Sequence, residues 1–428
     1  MYRLHHHIVP TSPNVLMLTS TFALLALALA AAAAPPVVVD KLPISLALTR
    51  RLKAGGSMKQ LADTDRARAR VLQSLGKGTS KTSKRSVFPV SLTNEVVSYS
   101  VSVGVGTPPT YHDLLLDTGS SLTWVGAITP YNETSSSVDI GEPLEAEYGA
   151  GTFTGRAFQD TVTLGNLVVQ KQFIGVADPG TIMPDGLDGI LGMGPTDLNA
   201  DLSLDDPSPS PTVTDNAFAQ GLLDTYEIGI QFHPTTSDNG TVDGMLTFGG
   251  TNSSALNGTI TTVPLTSTTP SSSFVGIDQS ITYGTSGATI LESTAGITDT
   301  GTALILLASD AFRKYMKATG ATMDDVETGL LKLPASQYDN LQSLFFNIGG
   351  QTFEFTKNAQ IFPRSLNTDI GGDADSVYLI VGDLGTPSGE GLDFINGYAF
   401  MQRFYTVYNT QDSSFGIANT PFTFAEIN

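Results

Sequence analysis

The chain reads Leu-Leu-Leu-Asp-Thr-Gly-Ser-Ser at residues 114–121 and Gly-Ile-Thr-Asp-Thr-Gly-Thr at residues 296–302. The two aspartates, Asp117 and Asp299, are 182 residues apart, and each Asp-Thr-Gly is followed by Ser or Thr. A single Asp-Thr-Gly is weak evidence in a chain rich in Gly and Thr, whereas a repeated one with a similar neighbour is much stronger. The repeat predicts two related halves that each contribute one aspartate.

The sequence around this repeat is typical of short strands joined by turns. Each Asp-Thr-Gly is followed later by a mainly apolar segment that ends in Gly, at residues 190–192 and 395–397, and alternating apolar and small residues at 98–105 predict a strand. The chain has 428 residues with 43 Gly and 23 Pro, which exceeds the length that one hydrophobic core usually serves. We therefore expect a mainly β protein of two lobes.

Residues 1–34 have the pattern of a signal peptide. A run of apolar residues and alanines follows Arg3, no acidic residue precedes it, and Pro35-Pro36 ends it. Its fully apolar part covers roughly 13 residues, short of the ~20 that a membrane-spanning helix needs. We therefore expect a secreted, extracellular protein without stable membrane association, and a membrane anchor is the alternative.

Charge divides the precursor into a basic and an acidic part. Residues 1–85 carry 13 Lys+Arg and 3 Asp+Glu, a formal charge of +10, and the remaining residues carry −29. The pair Lys84-Arg85 closes the basic part and is a suitable cleavage site for a processing protease. We expect residues 35–85 to be a prosegment that docks on the acidic body and is released by acid. A tail that binds nucleic acid is the alternative, but an acidic body would repel nucleic acid.

Several classes of site are excluded by residues that the sequence lacks. There is no cysteine, so thiol catalysis is impossible, and no Gly-x-Ser-x-Gly elbow of a serine hydrolase occurs. Beyond the first seven residues only His112 and His233 remain, and neither has metallopeptidase spacing, so we expect no metal and no cofactor. A glycosidase also uses paired carboxylates, but the Asp-Thr-Gly repeat argues against that class.

Four sequons lie in stretches rich in Gly, Ser and Thr, where exposed loops are expected. They begin at Asn132, Asn239, Asn252 and Asn257. Glycosylation at these asparagines would fit a secreted protein, although sequons also arise by chance.

Five segments together resemble the pepsin family of aspartic endopeptidases. They are residues 117–120, Trp124, 148–152, 188–192 and 299–302, in the order and spacing of that family, within a resemblance that spans about residues 95–420. The lack of cysteine and the two segments at 394–398 and 403–408 are similar to the polyporopepsin group of basidiomycete fungi.

The resemblance implies a bilobal, pepsin-like acid protease fold of two related β lobes with an active-site cleft between them. The N-terminal lobe would comprise residues 86–275 and the C-terminal lobe residues 276–428. It further implies a monomeric enzyme that hydrolyses protein or peptide substrates at acid pH, with its own prosegment as an intramolecular inhibitor and no nucleic acid as a partner.

By this resemblance Asp117 and Asp299 are the catalytic pair. Two carboxyl groups a few ångströms apart cannot both ionise comfortably, so they share one proton and can act together as base and acid. Small hydroxyl residues can bond across the junction or orient a carboxylate, and glycine lets two turns approach. The implied supporting residues are Thr118, Gly119, Ser120, Thr300, Gly301 and Thr302. An ordinary turn is the alternative for the four hydroxyl residues.

The segment 148–152, Tyr-Gly-Ala-Gly-Thr, reads by itself as the tip of a hairpin. The resemblance implies a mobile flap over the cleft, in which Tyr148, Gly149 and Thr152 face an extended peptide. Trp124, the only tryptophan, resembles the residue that bonds and packs behind the flap tyrosine. Core packing is the alternative for Trp124.

Leu187 and Ile190 lie beside the first apolar segment that ends in Gly. They resemble family positions that line the pocket for the residue before the cleaved bond, which implies a preference for large apolar side chains. Ordinary core packing is the alternative for both.

One segment departs from the family pattern. Pepsins generally have a second aliphatic residue before the C-terminal Gly and an aspartate near it, whereas this chain has Asn396 before Gly397 and Tyr398 after it. We expect the lobe to survive with one carboxylate fewer near the dyad, so the pH profile of other pepsins does not transfer.

A catalytically silent binding or inhibitor protein with the pepsin fold is the alternative function, because a fold does not fix an activity. Such proteins typically lose an aspartate or its small neighbours, and this chain keeps both sets.

Overall fold

Strands are the most abundant regular element in the described part of the chain, which comprises residues 41–52, 58–77, 97–148, 151–181, 183, 186–200, 208–234 and 242–428 of the computed structural model. The predicted signal peptide, the Lys84-Arg85 pair and the sequon at Asn239 lie outside these residues. The mainly β fold expected from the sequence is confirmed.

The described strands in the first part of the chain are β1 (Ile44–Leu52), β2 (Val97–Val105), β3 (Thr110–Asp117), β4 (Trp124–Val125), β5 (Val138–Tyr148), β6 (Gly151–Leu164), β7 (Leu167–Ala177), β8 (Gly189–Gly192), β9 (Glu227–Phe232), β10 (Val242–Phe248) and β11 (Thr261–Pro264). Those that follow are β12 (Gly276–Tyr283), β13 (Ala288–Thr298), β14 (Ile305–Leu307), β15 (Thr322–Met323), β16 (Leu331–Pro334), β17 (Leu344–Ile348), β18 (Gln351–Phe355), β19 (Ser376–Leu379), β20 (Val381–Asp383), β21 (Phe394–Asn396), β22 (Phe404–Asn409) and β23 (Ser414–Asn419). The described α-helices are α1 (Met58–Gly76), α2 (Val213–Ala219), α3 (Ser309–Thr319) and α4 (Tyr398–Met401).

The largest sheet in the described part of the chain has 13 strands, in the order β11-β23-β22-β9-β10-β1-β2-β3-β8-β4-β7-β6-β5. Strand β1 lies between β10 and β2 and pairs antiparallel with both, so part of the predicted prosegment is an internal strand of this sheet. The sheet also contains β22 and β23 from the end of the chain. It therefore draws strands from both sides of the boundary expected between residues 275 and 276, which stays a prediction.

The second half of the chain forms a seven-stranded sheet, in the order β18-β17-β12-β13-β21-β14-β20, and a small sheet of β15, β16 and β19. The two copies of Asp-Thr-Gly end strands that are built in the same way. Strand β3 pairs in parallel with β8, which puts Leu116 opposite Leu191, and β13 pairs in parallel with β21, which puts Thr298 opposite Asn396. The sequence repeat is thus also a repeat of local structure.

Helix α1 lies within residues 35–85, the predicted basic prosegment. It has 19 residues, and Leu61, Asp65, Arg68 and Leu72 recur on one of its faces at helical spacing. All four are buried, which shows that this face packs against the protein. Among the described residues, no helix has both the length and the apolar character needed to cross a membrane.

Candidate active site

The two Asp-Thr-Gly turns meet at a junction where Asp117 and Asp299 are both fully buried. The backbone N–H of Thr118 donates to Oγ1 of Thr300 at 2.9 Å, and the N–H of Thr300 donates to Oγ1 of Thr118 at 3.0 Å. The Thr300 hydroxyl also donates to the carbonyl of Leu116 at 2.9 Å. These bonds tie the two turns together and fix the two carboxyl groups relative to each other.

Each carboxyl group is held by a hydroxyl and a backbone N–H of its own turn. Ser120 Oγ donates to Asp117 Oδ2 at 2.6 Å, and Thr302 Oγ1 donates to Asp299 Oδ2 at 2.5 Å. The backbone N–H of the glycine in each turn donates to the other carboxyl oxygen, at 2.9 and 3.1 Å. A buried carboxylate needs such donors, because burial without partners is costly.

Gly119 and Gly301 leave the space that the opposite carboxyl group occupies. A Cβ at Gly119 would lie 2.6 Å from Asp299 Oδ1, and a Cβ at Gly301 would lie 2.6 Å from Asp117 Oδ1. A side chain at either position would therefore push the two carboxyl groups apart. Close approach of the carboxyls is the physical reason for glycine in both turns.

Arg68 of α1 lies between the two carboxylates. Its Nη2 donates to Asp117 Oδ1 at 2.5 Å and to Asp299 Oδ1 at 2.9 Å, and its Nε donates to Asp299 Oδ2 at 2.7 Å. One nitrogen atom thus reaches an oxygen of each carboxyl group, so the two groups are close enough to bind a single small molecule together. Pairing on both sides also compensates the burial of the guanidinium charge.

The environments of the two aspartates differ. Burial raises the pKa of Asp117, and the charge of Asp299 acts in the same direction against the attraction of Arg68. Burial also acts on Asp299, but the charge of Arg68 and its hydrogen bonds, together with that of Thr302, hold the pKa of Asp299 below its ordinary value. Two carboxyl groups with pKa values pushed apart favour a state in which one is protonated and the other ionised.

Asp65 brings a third carboxyl group to the same region. It lies one turn before Arg68 on α1 and is buried. Its oxygens accept hydrogen bonds from the N–H of Ala303 at 3.2 Å and of Leu304 at 2.8 Å, the two residues that follow Thr302. Burial raises the pKa of Asp65 to about 7.

Tyr148 and Trp124 are in contact at the end of the hairpin formed by β5 and β6. Trp124 Nε1 donates to Tyr148 Oη at 3.2 Å, and Trp124 is almost completely buried. Burial raises the pKa of Tyr148, and the charge of Asp117 acts in the same direction. Thr152 is exposed on β6, and Gly149 lies outside the described residues.

Leu187 and Ile190 are both buried. Ile190 packs in a small hydrophobic cluster with Trp124 and Phe153, and Tyr148 packs against the same cluster. The structure thus brings Ile190 together with the hairpin residues and places Leu187 in the interior three residues earlier.

The segment that departs from the pepsin pattern contains neutral, buried side chains. Tyr398 packs edge-on against Tyr99, with ring centroids 5.4 Å apart, and against Phe232 at 6.4 Å. Asn396 is completely buried on β21. Neither side chain brings a charge to the dyad.

Three of the four sequons lie in the described part of the chain. Asn132 and Asn257 are exposed, as attachment of a glycan requires. Asn252 is half-buried, and its amide donates to Met245 Sδ at 2.7 Å and accepts from the N–H of Ser254 at 3.1 Å. Glycosylation of Asn252 would use the same nitrogen atom that contacts Met245.

Sequence reasoning missed Arg68 and Asp65. Their signal is a helical spacing, residues 61, 65, 68 and 72, in which two charged residues lie between two leucines on one face. Charges on the apolar face of a helix point to partners in the surface that the helix covers. No group of three or more His, Asp or Glu in the described ranges is arranged to hold a metal ion.

Comparison with known proteins gives matches that cover most of the chain. The family model described as eukaryotic aspartyl protease matches residues 98–420. Polyporopepsin from Irpex lacteus is 57% identical over 340 residues, which are 79% of this chain and 99% of that protein. Rhizopuspepsin-1 from Rhizopus niveus is 29% identical over 92% of this chain and 96% of its own length.

A solved structure confirms the pepsin-like fold that the sequence predicts. The crystal structure of the aspartic proteinase from Irpex lacteus superposes with a TM-score of 0.77 at 49% identity, covering 90% of this chain and all of that one.

Proposed function

This chain is an aspartic endopeptidase of the eukaryotic aspartyl protease family, and on that premise we propose that Asp117 and Asp299 are its catalytic carboxyl groups. The observation that carries the assignment is the single nitrogen of Arg68 that bonds to both carboxyl groups. An atom in that position marks where a water molecule could be activated by the two groups together. The donors that hold each carboxyl orient it for that role.

Hydrolysis by this pair requires one ionised and one protonated carboxyl group. The ionised group takes a proton from water as the water oxygen attacks the peptide carbonyl, and the protonated group donates its proton to the carbonyl oxygen. The carboxyl group that took the proton from water then gives it to the leaving nitrogen as the C–N bond breaks, and the other carboxylate takes a proton from a hydroxyl of the intermediate, which restores the pair. Because the shared proton belongs to the pair, we propose that the enzyme works at acid pH, where that proton is retained.

The hairpin of β5 and β6 supplies the substrate contacts in this proposal. Tyr148 and Ile190 belong to one cluster with Trp124, which offers an apolar surface near the dyad. That surface supports a preference for large apolar side chains at the cleaved bond. Backbone hydrogen bonds from the hairpin would hold an extended peptide whatever its other side chains.

Helix α1 acts in this proposal as an intramolecular inhibitor. Arg68 fills the position between the carboxyl groups, and Asp65 occupies the N–H groups of Ala303 and Leu304. Because the ion pair with Arg68 lowers the pKa of Asp299, the stabilisation from that pair is present above the ordinary pKa and is lost as the pH falls through the lowered one. Acid would therefore weaken the inhibitory contact.

We further propose that the precursor is secreted as a glycosylated monomer. This proposal is supported by the signal-peptide pattern of residues 1–34 and by the exposed sequon residues Asn132 and Asn257.

The dyad assignment is tested by Asp117→Asn and Asp299→Asn, which keep the side-chain volume and remove the acid–base function. Each variant should lose at least about 10⁴-fold in the rate of acid-dependent cleavage of an unfolded protein. A pepstatin-type inhibitor should abolish the wild-type rate. Asp325→Asn, at an exposed carboxylate, serves as the control and should cleave like the wild type. Substantial activity in either dyad variant, with the folded state verified by circular dichroism, contradicts the assignment.

A further inference from the structure

Two amide side chains form a closed, buried pair on the strands that flank the one leading to Asp299. Asn396 Nδ2 donates to Gln279 Oε1 at 2.9 Å, and Gln279 Nε2 donates to Asn396 Oδ1 at 3.3 Å. Asn396 is fully buried and Gln279 is 1% exposed. Each amide thus satisfies the other, which a buried polar group requires.

The pair bridges the strand that carries Asp299. Gln279 lies on β12 and Asn396 on β21, and these two strands flank β13 on opposite sides. Asp299 follows β13 directly, and its backbone N–H donates to the backbone carbonyl of Asn396 at 3.1 Å. Asn396 therefore contacts the turn of Asp299 through its backbone and strand β12 through its side chain.

The first half of the chain has an apolar residue at the matching place. Leu191 lies opposite Leu116, one residue before Asp117, just as Asn396 lies opposite Thr298, one residue before Asp299. Since the repeat folds with a leucine there, the sheet does not need an amide at this position. A polar pair, which must be fully satisfied to be tolerated in a core, has a more specific orientation than a leucine.

We propose that Gln279 and Asn396 are positioning residues for the proposed catalytic Asp299. Their two hydrogen bonds lock β21 to β12 across β13 and so fix the carbonyl that holds the backbone of Asp299. The pair does not touch the substrate and acts only through the placement of that aspartate. This inference rests on the proposed function of the dyad.

The test uses the mature enzyme obtained from precursors carrying Asn396→Leu, Gln279→Leu or both changes. Each single change leaves one buried amide without a partner, and the double change replaces both amides by apolar groups, which can restore stability. Positioning predicts that kcat falls by about tenfold to a hundredfold in all three while KM stays within about twofold. The midpoint of thermal unfolding should fall in the single variants and recover in the double variant.

The decisive result is the double variant, in which stability and activity separate. A stable double variant with a low kcat supports the proposal, because a merely structural pair would regain kcat together with stability. A double variant with wild-type stability and wild-type kcat overturns it, and so does a fall in activity that appears only in KM. Tyr315→Phe, which removes a buried hydrogen bond to Gln360 in the same half of the chain, is the control and should keep its kcat.

Asp299→Asn in the same assay distinguishes the two levels of inference. If that variant retains activity, the proposed dyad is wrong. If it is inactive while the double variant has the wild-type kcat, the dyad stands and only the positioning role fails.

Discussion

At the scale of single residues, Asp65 makes the docking of helix α1 depend on pH. The sign of this dependence is opposite to that of the ion pair between Arg68 and Asp299. In the docked helix burial raises the pKa of Asp65 to about 7, compared with an ordinary value of 3.8 once the helix is released. Between pH 3.8 and pH 7 Asp65 therefore carries a proton in the docked state and none in the released state. The contribution of Asp65 to docking is fully present below pH 3.8 and is lost as the pH rises through 7.

We predict that the Asp65→Asn variant does not lose docking of α1 as the pH rises from 6 to 8. Between pH 6 and pH 8 the wild-type docking constant should fall by about tenfold, because one proton is released over that interval. Asparagine keeps an oxygen that accepts from Leu304 and has no charge to titrate. Hydrogen exchange across residues 58–76 of the uncut precursor, corrected for intrinsic rates, should show this fall in the wild type and none in the variant.

The control for that experiment is Asp63→Asn on the same helix, since Asp63 is exposed and pairs only with neighbours at Lys59 and Arg66 among the described salt bridges. It should behave like the wild type. If docking of α1 still weakens between pH 6 and pH 8 in the Asp65→Asn variant, groups other than Asp65 cause the weakening.

At the scale of elements, Arg68 and Arg70 offer a matched comparison on α1, the helix that we propose inhibits the uncut precursor. Arg68 is buried between two carboxylates, whereas Arg70 is exposed two residues later. Removing one partner of a buried ion pair destabilises by about 3–5 kcal/mol, while an exposed arginine contributes little.

We therefore predict that Arg68→Gln lets the uncut precursor cleave a peptide at a pH where the wild-type precursor is silent, and that Arg70→Gln does not. The measurement is initial rate against pH, with chain length followed on the same samples. Equal onset of activity in all three proteins would mean that Arg68 does not hold the helix in place.

The junction of the two turns could be predicted from sequence because its chemistry is local. Aspartate, hydroxyl and glycine lie within four residues in each copy, so the repeat shows all of them at once. Arg68 could not be placed in the same way, because its partners are 49 and 231 residues away and only the docking of α1 brings them together. The helical spacing was also obscured, since charged residues occupy two positions of the buried face.

At the scale of the whole molecule, the charge split of +10 against −29 explains less of the docking than the sequence suggests. The contacts of α1 include the buried Leu61 and Leu72 and the buried Arg68 pair, which salt cannot screen. An exposed pair that salt can screen is Lys77 with Glu390 at 3.0 Å. Docking therefore combines apolar burial with short-range pairing.

We accordingly predict that acid releases the helix and that salt hardly does. Raising the salt concentration from 50 mM to 1 M at neutral pH should change the release of α1 by less than about fivefold, the range expected for an exposed ion pair. Acidification at low salt to below pH 3.8, where the Arg68–Asp299 pair is lost as Asp299 protonates, should produce release and activity against the opposing contribution of Asp65. Precursor incubated under the four combinations of pH and salt, and followed by chain length and activity, decides the matter. Release by salt alone would instead show that long-range attraction between the basic and acidic parts of the chain is the main cause of docking.

The reciprocal bonds between Thr118 and Thr300 make the junction locally symmetric, since each turn gives the other what it receives. Contacts of that kind are the ones that two identical subunits form about a twofold axis. A peptide chain has a direction and cannot share that axis, so any bound peptide makes the two equivalent aspartates unequal. Within the protein, features without a counterpart, such as Asn396 where the first half has Leu191, do the same. In the proposed mechanism, the surroundings of the symmetric pair therefore decide which carboxyl acts as acid and which as base.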